Sequence, residues 1–480
     1  VSLAAALLFA AAVPVRAQSV PPNGGDSIAR FNRDLQQLRM DNTVRANTAI
    51  DPGQRALVDY GGFFTASYLS LDDLNRHNHS LWQFDLVGYA DVNIDDVQEF
   101  FARGRLEWQE FGDGDAFDGR DHQYHANIER AYYRLDVGRA LSAYRGVTTD
   151  WDLAIKAGRQ FIYWADGLAL VQTLDGGLID LSYQKSHLQV LEGITPANTV
   201  DIDTSRPHFD SNTHRGFYGV MFTQEIGTNK PFVYFLRQQD YNHGYESVTA
   251  LGATPILTRF QYDSNYLGFG STGTVGDHLA YGIEAVYETG STLSNSFDNT
   301  LAPVKQQKNS IQAFAGDLRV DYLLNDDNRT RCSAEGIFTT GDDGRRHTTN
   351  TLGGSPPGST DQAFNGFGQI QNGIAFSPNL SNLYILRGGV SSFPLQKISL
   401  FSQMQTGLDL YLFEKFAVSG ALDEPSRKSG FVGIEPDLFV NWQIKSDVTL
   451  SMRYGVFLPG SALISNSARQ FFYTGLTLAF

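Results

Sequence analysis

The 480-residue chain carries a formal charge of −15, with 42% hydrophobic residues and a mean hydropathy of −0.25. The acidic balance excludes a nucleic-acid binder, which needs a basic face to displace counterions. The 47 glycines, 33 phenylalanines and 22 tyrosines beside four methionines suit β-structure with aromatic girdles, and Cys332 alone cannot form an intramolecular disulfide.

Residues 1–17 read as a signal peptide. Leu3 to Val15 is apolar and Ala-rich but shorter than the ~20 residues of a spanning helix, and Val15-Arg16-Ala17 has the small-x-small form of a cleavage site before Gln18. Residues 18–57 form a periplasmic leader. Within it Ile28, Phe31, Leu35 and Leu38 recur at helical spacing, which fits a short helix or a disordered segment. No second long apolar run follows, so a helical membrane protein is excluded.

From 58 to 480 the chain alternates with a period of two. The pattern predicts an all-β fold: a transmembrane antiparallel β-barrel of about 18 strands, among them segments near 60–70, 98–110, 126–137, 151–161, 177–184, 257–270, 309–323, 429–443 and 470–480. Connections alternate in length. Residues 227–230, 324–330 and 445–447 are short and 241–256, 341–380 and 459–469 long, the rhythm of short periplasmic turns and long external loops. Residues 139–150 break that rhythm on the short side. The last strand closes on Phe480, with Phe472, Leu476 and Leu478 on the lipid face and Phe471, Tyr473 and Thr477 on the other.

The pleat sorts the charges inward. It places Arg103 and Arg105 in the lumen from 98–110, Arg130 and Arg134 from 126–137, Lys156 from 151–161, and Asp317, Arg319 and Asp321 from 309–323. Glu435 and Asp437 point inward from 429–443, and Arg453 from 448–458. Charge on the lipid face costs roughly 2–4 kcal/mol for Arg or Lys at the midplane, so the sorting is a physical requirement. The inner charges have two readings: cross-strand pairs solvating a wide lumen, or a cationic path for an anionic solute with carboxylates along it. Loop acids, including Asp113, Asp115, Asp118, Asp121, Asp342 and Asp343, serve solubility or divalent bridging to lipopolysaccharide.

Enzyme signals fail. Gly268-Phe-Gly-Ser-Thr-Gly273 has the glycine spacing of a dinucleotide fingerprint but no helix after it, and a tight turn explains it better. There is no Gly-x-Ser-x-Gly elbow, zinc helix or cysteine pair, and the expectation is a non-enzyme without cofactor or metal.

Leu153-Ala-Ile-Lys-Ala-Gly-Arg-Gln160, the Gly167 region and Leu174-Asp-Gly-Gly-Leu-Ile-Asp-Leu-Ser-Tyr183 form a strand-loop-strand pattern. With Phe338-Thr-Thr-Gly-Asp-Asp343, Gly433-Ile-Glu-Pro-Asp-Leu438 and Tyr454-Gly-Val-Phe-Leu-Pro-Gly460, it resembles the alginate export outer-membrane family. The resemblance implies a monomeric barrel in the bacterial outer membrane that exports an anionic polysaccharide through an arginine-lined pore, with Arg159 as a pore arginine and a periplasmic secretion scaffold as partner. The alternative is a general or substrate-specific uptake porin for small sugars or anions, distinguished by loops that fold inward to narrow the pore. A barrel enzyme or adhesin is the third reading.

Overall fold

Alternation along each strand decides the architecture. On Arg469–Ala479, Phe471 and Tyr473 are buried while Leu476 and Leu478 on the opposite face are exposed. Phe100, Leu106 and Trp108 on Gln98–Phe111 are exposed in the same way, as are Phe314, Leu318 and Tyr322 on Lys308–Leu323. A band of large apolar side chains that the chain itself leaves uncovered, repeated from strand to strand, is a surface built for hydrocarbon.

The computed structural model describes residues 56–480 apart from 75–76, 113–121, 198, 200, 202, 207–210, 243–245, 252–253, 299–301 and 346–353. The expected signal peptide, most of the expected leader and the acidic loop from Asp113 to Asp121 lie outside the described residues. Eighteen antiparallel strands close into a barrel. In chain order they are β1 Ala56–Asp72, β2 Asn78–Ile94, β3 Gln98–Phe111, β4 His122–Asp136, β5 Trp151–Trp164, β6 Leu170–Tyr183, β7 Ser186–Ile194, β8 Arg215–Gln224 and β9 Lys230–Asp240. There follow β10 Tyr262–Val275, β11 Leu279–Leu293, β12 Lys308–Leu323, β13 Arg331–Thr339, β14 Leu383–Ser392, β15 Met404–Lys415, β16 Phe431–Lys445, β17 Val448–Pro459 and β18 Arg469–Ala479. Closure joins β18 to β1 from Phe63↔Ala479 to Leu71↔Phe471, and Gly62 and Phe480 exchange both backbone bonds at 2.9 Å. Closing the sheet leaves no edge between first and last strands, the condition for a sheet to stand in lipid.

Connections at one end are mostly short, as at 95–97, 184–185, 276–278 and 446–447, and those at the other include 195–214, 241–261, 340–382 and 416–430. The exception at 139–150 is a helix, α1 Val137–Arg145. Asp136 caps it by accepting from the Arg139 N–H at 2.9 Å, and Gly146 at φ 64° ends it. Its flank is tied to the β2–β3 turn, where Arg139 pairs with Asp96 at 2.7 Å and the Tyr144 hydroxyl donates to Asp95 at 2.9 Å. A capped helix, not a floppy loop, occupies the short end there.

Two local expectations change. Gly268 to Gly273 lies within β10 and not in a turn, and a Cβ at Gly268 or Gly270 would strike the rings of Tyr234 or Phe232 on β9. Those glycines make room for aromatic neighbours. On β4 the pairing slips between Arg103↔Arg130 and Gly104↔Ile128, leaving Glu129 as the extra residue of a β-bulge. Strict alternation turns Glu129 outward, but the bulge brings it in beside Arg130, where it meets Arg103 at 2.7 Å and Arg105 at 3.1 Å.

Candidate functional site

The lumen is narrowed by two parts of the chain that leave the wall. The first is the β5–β6 hairpin. Gly158, Gly176 and Gly193 stand in one register row across β5, β6 and β7, and above that row β5 and β6 soon pair with no other strand of the barrel. Gly158 sits at φ 127°, and a Cβ there would lie 2.3 Å from the Ala131 carbonyl oxygen; one on Gly176 would lie 2.0 Å from that of Glu192. The row is therefore a hinge that only glycine permits. Beyond it Ile162, Trp164, Leu168 and Leu170 are buried against Phe217, Tyr234 and Leu236, with the Trp164 ring edge-on to Tyr234 at 6.2 Å. At the tip the Leu168 N–H donates to Glu284 at 3.2 Å and Arg319 reaches Asp166 at 3.2 Å, so the hairpin is pinned to β11 and β12. Gly158→Val is expected to cost about 2–4 kcal/mol through backbone strain and overpacking, read as a lowered urea midpoint of the barrel in detergent.

The second part is a strap within residues 340–382. Thr360 and Asp361 pair in parallel with Ser310 and Ile311 of β12. Phe367 then bonds along the hairpin, its carbonyl accepting from Val171 at 2.8 Å and its N–H donating to Ala169 at 3.0 Å. The Asn365 N–H donates to Glu288 at 2.9 Å. Farther on, the Glu435 carboxylate of β16 accepts three successive backbone N–H groups, from Ile374 and Ala375 at 2.6 Å and Phe376 at 2.8 Å. Phe376 stacks on Phe457 at 4.3 Å and meets Phe413 edge-on at 5.1 Å. Strap and hairpin tip thus share one apolar core inside the barrel.

Exposure among the inward side chains is uneven. Glu284, Glu288, Asp317, Tyr411 and Glu435 are each at most 3% exposed and the Arg105 side chain 10%, whereas those of Arg134 on β4 and Arg319 on β12 are 40% and 34% exposed. The inward cations differ in their partners. Arg105 is enclosed by Asp85 at 2.6 Å, Glu129 at 3.1 Å and Glu107 at 3.4 Å, and Arg103 is taken by Glu129. Among the described residues Arg134 has only long ionic contacts, to Glu99 at 3.6 Å and Asp136 at 3.8 Å. Among the described residues Arg130 and Lys156 show no ion pair; Arg130 lies 5.6 Å from the Phe161 ring centroid, and the Lys156 Nζ 3.7 Å from that of Tyr132. Tyr132 in turn stacks on Phe101 at 5.2 Å, and Phe101 on Tyr89 at 6.3 Å.

The remaining sequence candidates are tied to other partners. Arg159 is held by Asp175 through two bonds of 2.7 and 2.9 Å and donates to the Ile128 carbonyl at 3.0 Å. Arg453 donates to Asn441 at 2.8 Å, and Asp321 pairs with Arg331 at 2.7 Å near the short end. Asp317 and Asp437 are both buried, Asp437 beside the Glu435 carboxylate. Among the described residues no group of three or more His, Cys, Asp or Glu side chains has metal-holding geometry.

Between β7 and β8, Thr204 bonds Asn365 of the strap. In the same connection Asp201 accepts from the hydroxyls of Thr199 and Thr213, each at 2.9 Å, while burial pushes its carboxyl up to about 7. A carboxyl raised above its unfolded value favours the folded loop at low pH, and that contribution is lost as pH rises through about 7. Hydrogen exchange in 195–214 should accordingly speed up across neutrality in the natural chain and show a flatter pH profile in Asp201→Asn.

No protein-family model and no curated protein match the chain. Solved structures do. Pseudomonas aeruginosa OccK8 (OprE) superposes with a TM-score of 0.53 at 8% identity, covering 88% of this chain and 98% of that one. Acinetobacter baumannii OccAB4 gives 0.52 at 10% identity over 90% of this chain and 100% of that one. Pseudomonas aeruginosa OpdK with vanillate gives 0.51 at 10% identity over 88% and 98%. The fold is that of an outer-membrane porin. At such identities the likeness is one of fold, that of barrels from the outer membranes of Pseudomonas and Acinetobacter. It also overturns the alginate-export resemblance, because the structural neighbours are substrate-specific uptake porins of the OccK and OprD kind. The strand-loop-strand motif that carried the resemblance has another explanation in this barrel. Gly158-Arg159-Gln160 and Asp175-Gly176 are the hinge of the inward hairpin, and the Arg159 guanidinium is engaged by Asp175.

Proposed function

We propose that this porin is a substrate-specific uptake channel for small organic anions, carboxylates above all. The observation that carries the reading is the inward fold of hairpin and strap into the lumen, with the Arg134 side chain left 40% exposed and Arg130 and Lys156 without an ion pair among the described residues. A lumen crossed in this way has no straight course for a polymer. Cations without a carboxylate partner can exchange water for a solute carboxylate at weak successive sites, which is how a pore selects anions while still releasing them.

The Tyr89, Phe101 and Tyr132 rings stacked beside Lys156 add a surface for a planar apolar body, so an aromatic monocarboxylate fits better than an aliphatic one. OpdK, one of the structures of similar fold, was solved with vanillate. Arg103, Arg105, Arg319 and Arg453, with Asp317, Asp321, Glu435 and Asp437, act in this reading as scaffold for the lumen and not as solute ligands. Direction follows the solute gradient, since a passive pore sets none.

The test is single-channel recording of the refolded full chain in planar bilayers. Anion selectivity with block by vanillate or benzoate, and none by the neutral benzamide, supports the reading. Cation selectivity, or conductance indifferent to all three, sinks it.

A further inference from the structure

The barrel wall is interrupted beside the hinge. β4 pairs with β3 up to His122↔Glu110, yet with β5 only from Asp136↔Ala154 to Ala131↔Arg159. β5 and β6 run on together to Trp164↔Leu170, and β7 ends at Ile194 opposite Asp175. Residues 122–130 of β4 therefore border a seam on the side away from β3. Among the described residues no backbone–backbone bond joins them to β5; at the foot of the seam the Ile128 carbonyl is met by the Arg159 guanidinium.

The seam joins two environments. Below Gly158 one face of β5 carries Trp151 and Ile155, both exposed to the lipid side. Above it the same face carries Phe161, whose ring meets the lumen cation Arg130. One face of one strand thus passes from lipid to lumen, and it does so where β4 has no partner. The rim is apolar or amphipathic: Ile128 and Tyr124 on β4 are 57% and 60% exposed, and Tyr163 on β5 is 46% exposed. An unsatisfied strand edge in hydrocarbon costs several kcal/mol per polar group, so the seam is tolerable only where it borders water or a polar solute.

We infer that the seam is a lateral path between the lumen and the outer leaflet for an amphipathic monocarboxylate. The carboxylate stays in the wet lumen at Arg130 while the apolar body lies along Phe161 and Ile128 toward lipid. A compact hydrophilic anion has no use for that rim. The inference rests on the channel reading and adds a second exit to it.

The experiment uses the full chain in lipid nanodiscs with a diazirine-tagged decanoic acid, the labelled peptides being read by mass spectrometry and conductance recorded on the same preparation. Labelling should concentrate on 122–130 and 159–163 and be competed by unlabelled decanoate but not by acetate. Arg130→Gln should weaken that competition roughly tenfold, the effect of one lost charged hydrogen bond. Ile128→Glu, whose folding is checked by heat-modifiability, should abolish the seam label by repelling the probe. Label spread evenly over outer-wall residues such as Leu106 and Phe269, or confined to the lumen, overturns the lateral path while an anion-selective conductance leaves the channel reading intact. Absence of that conductance overturns both.

Discussion

Glu435→Ala should widen the pore. In the folded barrel its side chain is fully buried and accepts the N–H groups of Ile374, Ala375 and Phe376. Bonds to a charged acceptor contribute about 1.5–3 kcal/mol each, and although three on one carboxylate do not add, losing even one shifts an equilibrium about tenfold. Without the acceptor, three donors are buried unsatisfied and the strap gains by swinging out to water. Single-channel conductance should then rise about two- to threefold, with noisier open levels, as the strap's share of the lumen fills with electrolyte. Glu435→Gln keeps one acceptor oxygen and should fall between. The Phe376 ring between Phe457 and Phe413 opposes release, so Glu435→Ala combined with Phe376→Ala should open the pore further. If conductance does not move in either variant, the aromatic stack and not the carboxylate holds the strap.

This latch was only half visible in the sequence. Alternation sent Glu435 inward, and inward it lies, but alternation gives a direction and never a partner. Its donors are sixty residues away in a connection whose sequence shows no period, and an irregular segment encodes its path through tertiary contacts alone. The barrel itself was legible because lipid imposes a strict rule on every second residue, from Phe100 and Trp108 through to Leu478. Where that rule fails, the cause is local geometry that composition does not carry. The bulge at Glu129 adds one residue, and the hinge at Gly158 takes a strand out of the wall, so that the face of Phe161 no longer looks at lipid. The glycines of that hinge stood in plain view, but a Gly-Arg-Gln segment reads as a pore motif until the register shows Gly158, Gly176 and Gly193 in one row.

The lumen cations divide by the same logic, and this division makes the sharper test of transport. Arg105 lies among Asp85, Glu107 and Glu129 with its side chain only 10% exposed, so Arg105→Gln leaves three carboxylates facing one another. Removing one partner from a buried charged cluster costs about 3–5 kcal/mol, and the expected result is impaired folding with little change in selectivity among the molecules that fold. Among the described residues Arg130 and Lys156 hold no carboxylate in an ion pair. Replacing both with glutamate should preserve the barrel and reverse its preference. A unit charge acts on a passing ion with about 1 kcal/mol at 4 Å in water, and two reversals together should change the anion-to-cation permeability ratio by roughly tenfold or more. Reversal potentials across a salt gradient measure this directly. The effect should shrink as salt rises from 0.1 to 1 M, roughly, because the screening length falls from about 10 to 3 Å. Block by an aromatic carboxylate should vanish with it. A double variant that stays anion-selective and still blocked would move the solute path away from Arg130 and Lys156, leaving Arg134 and the cations of the other strands to account for it.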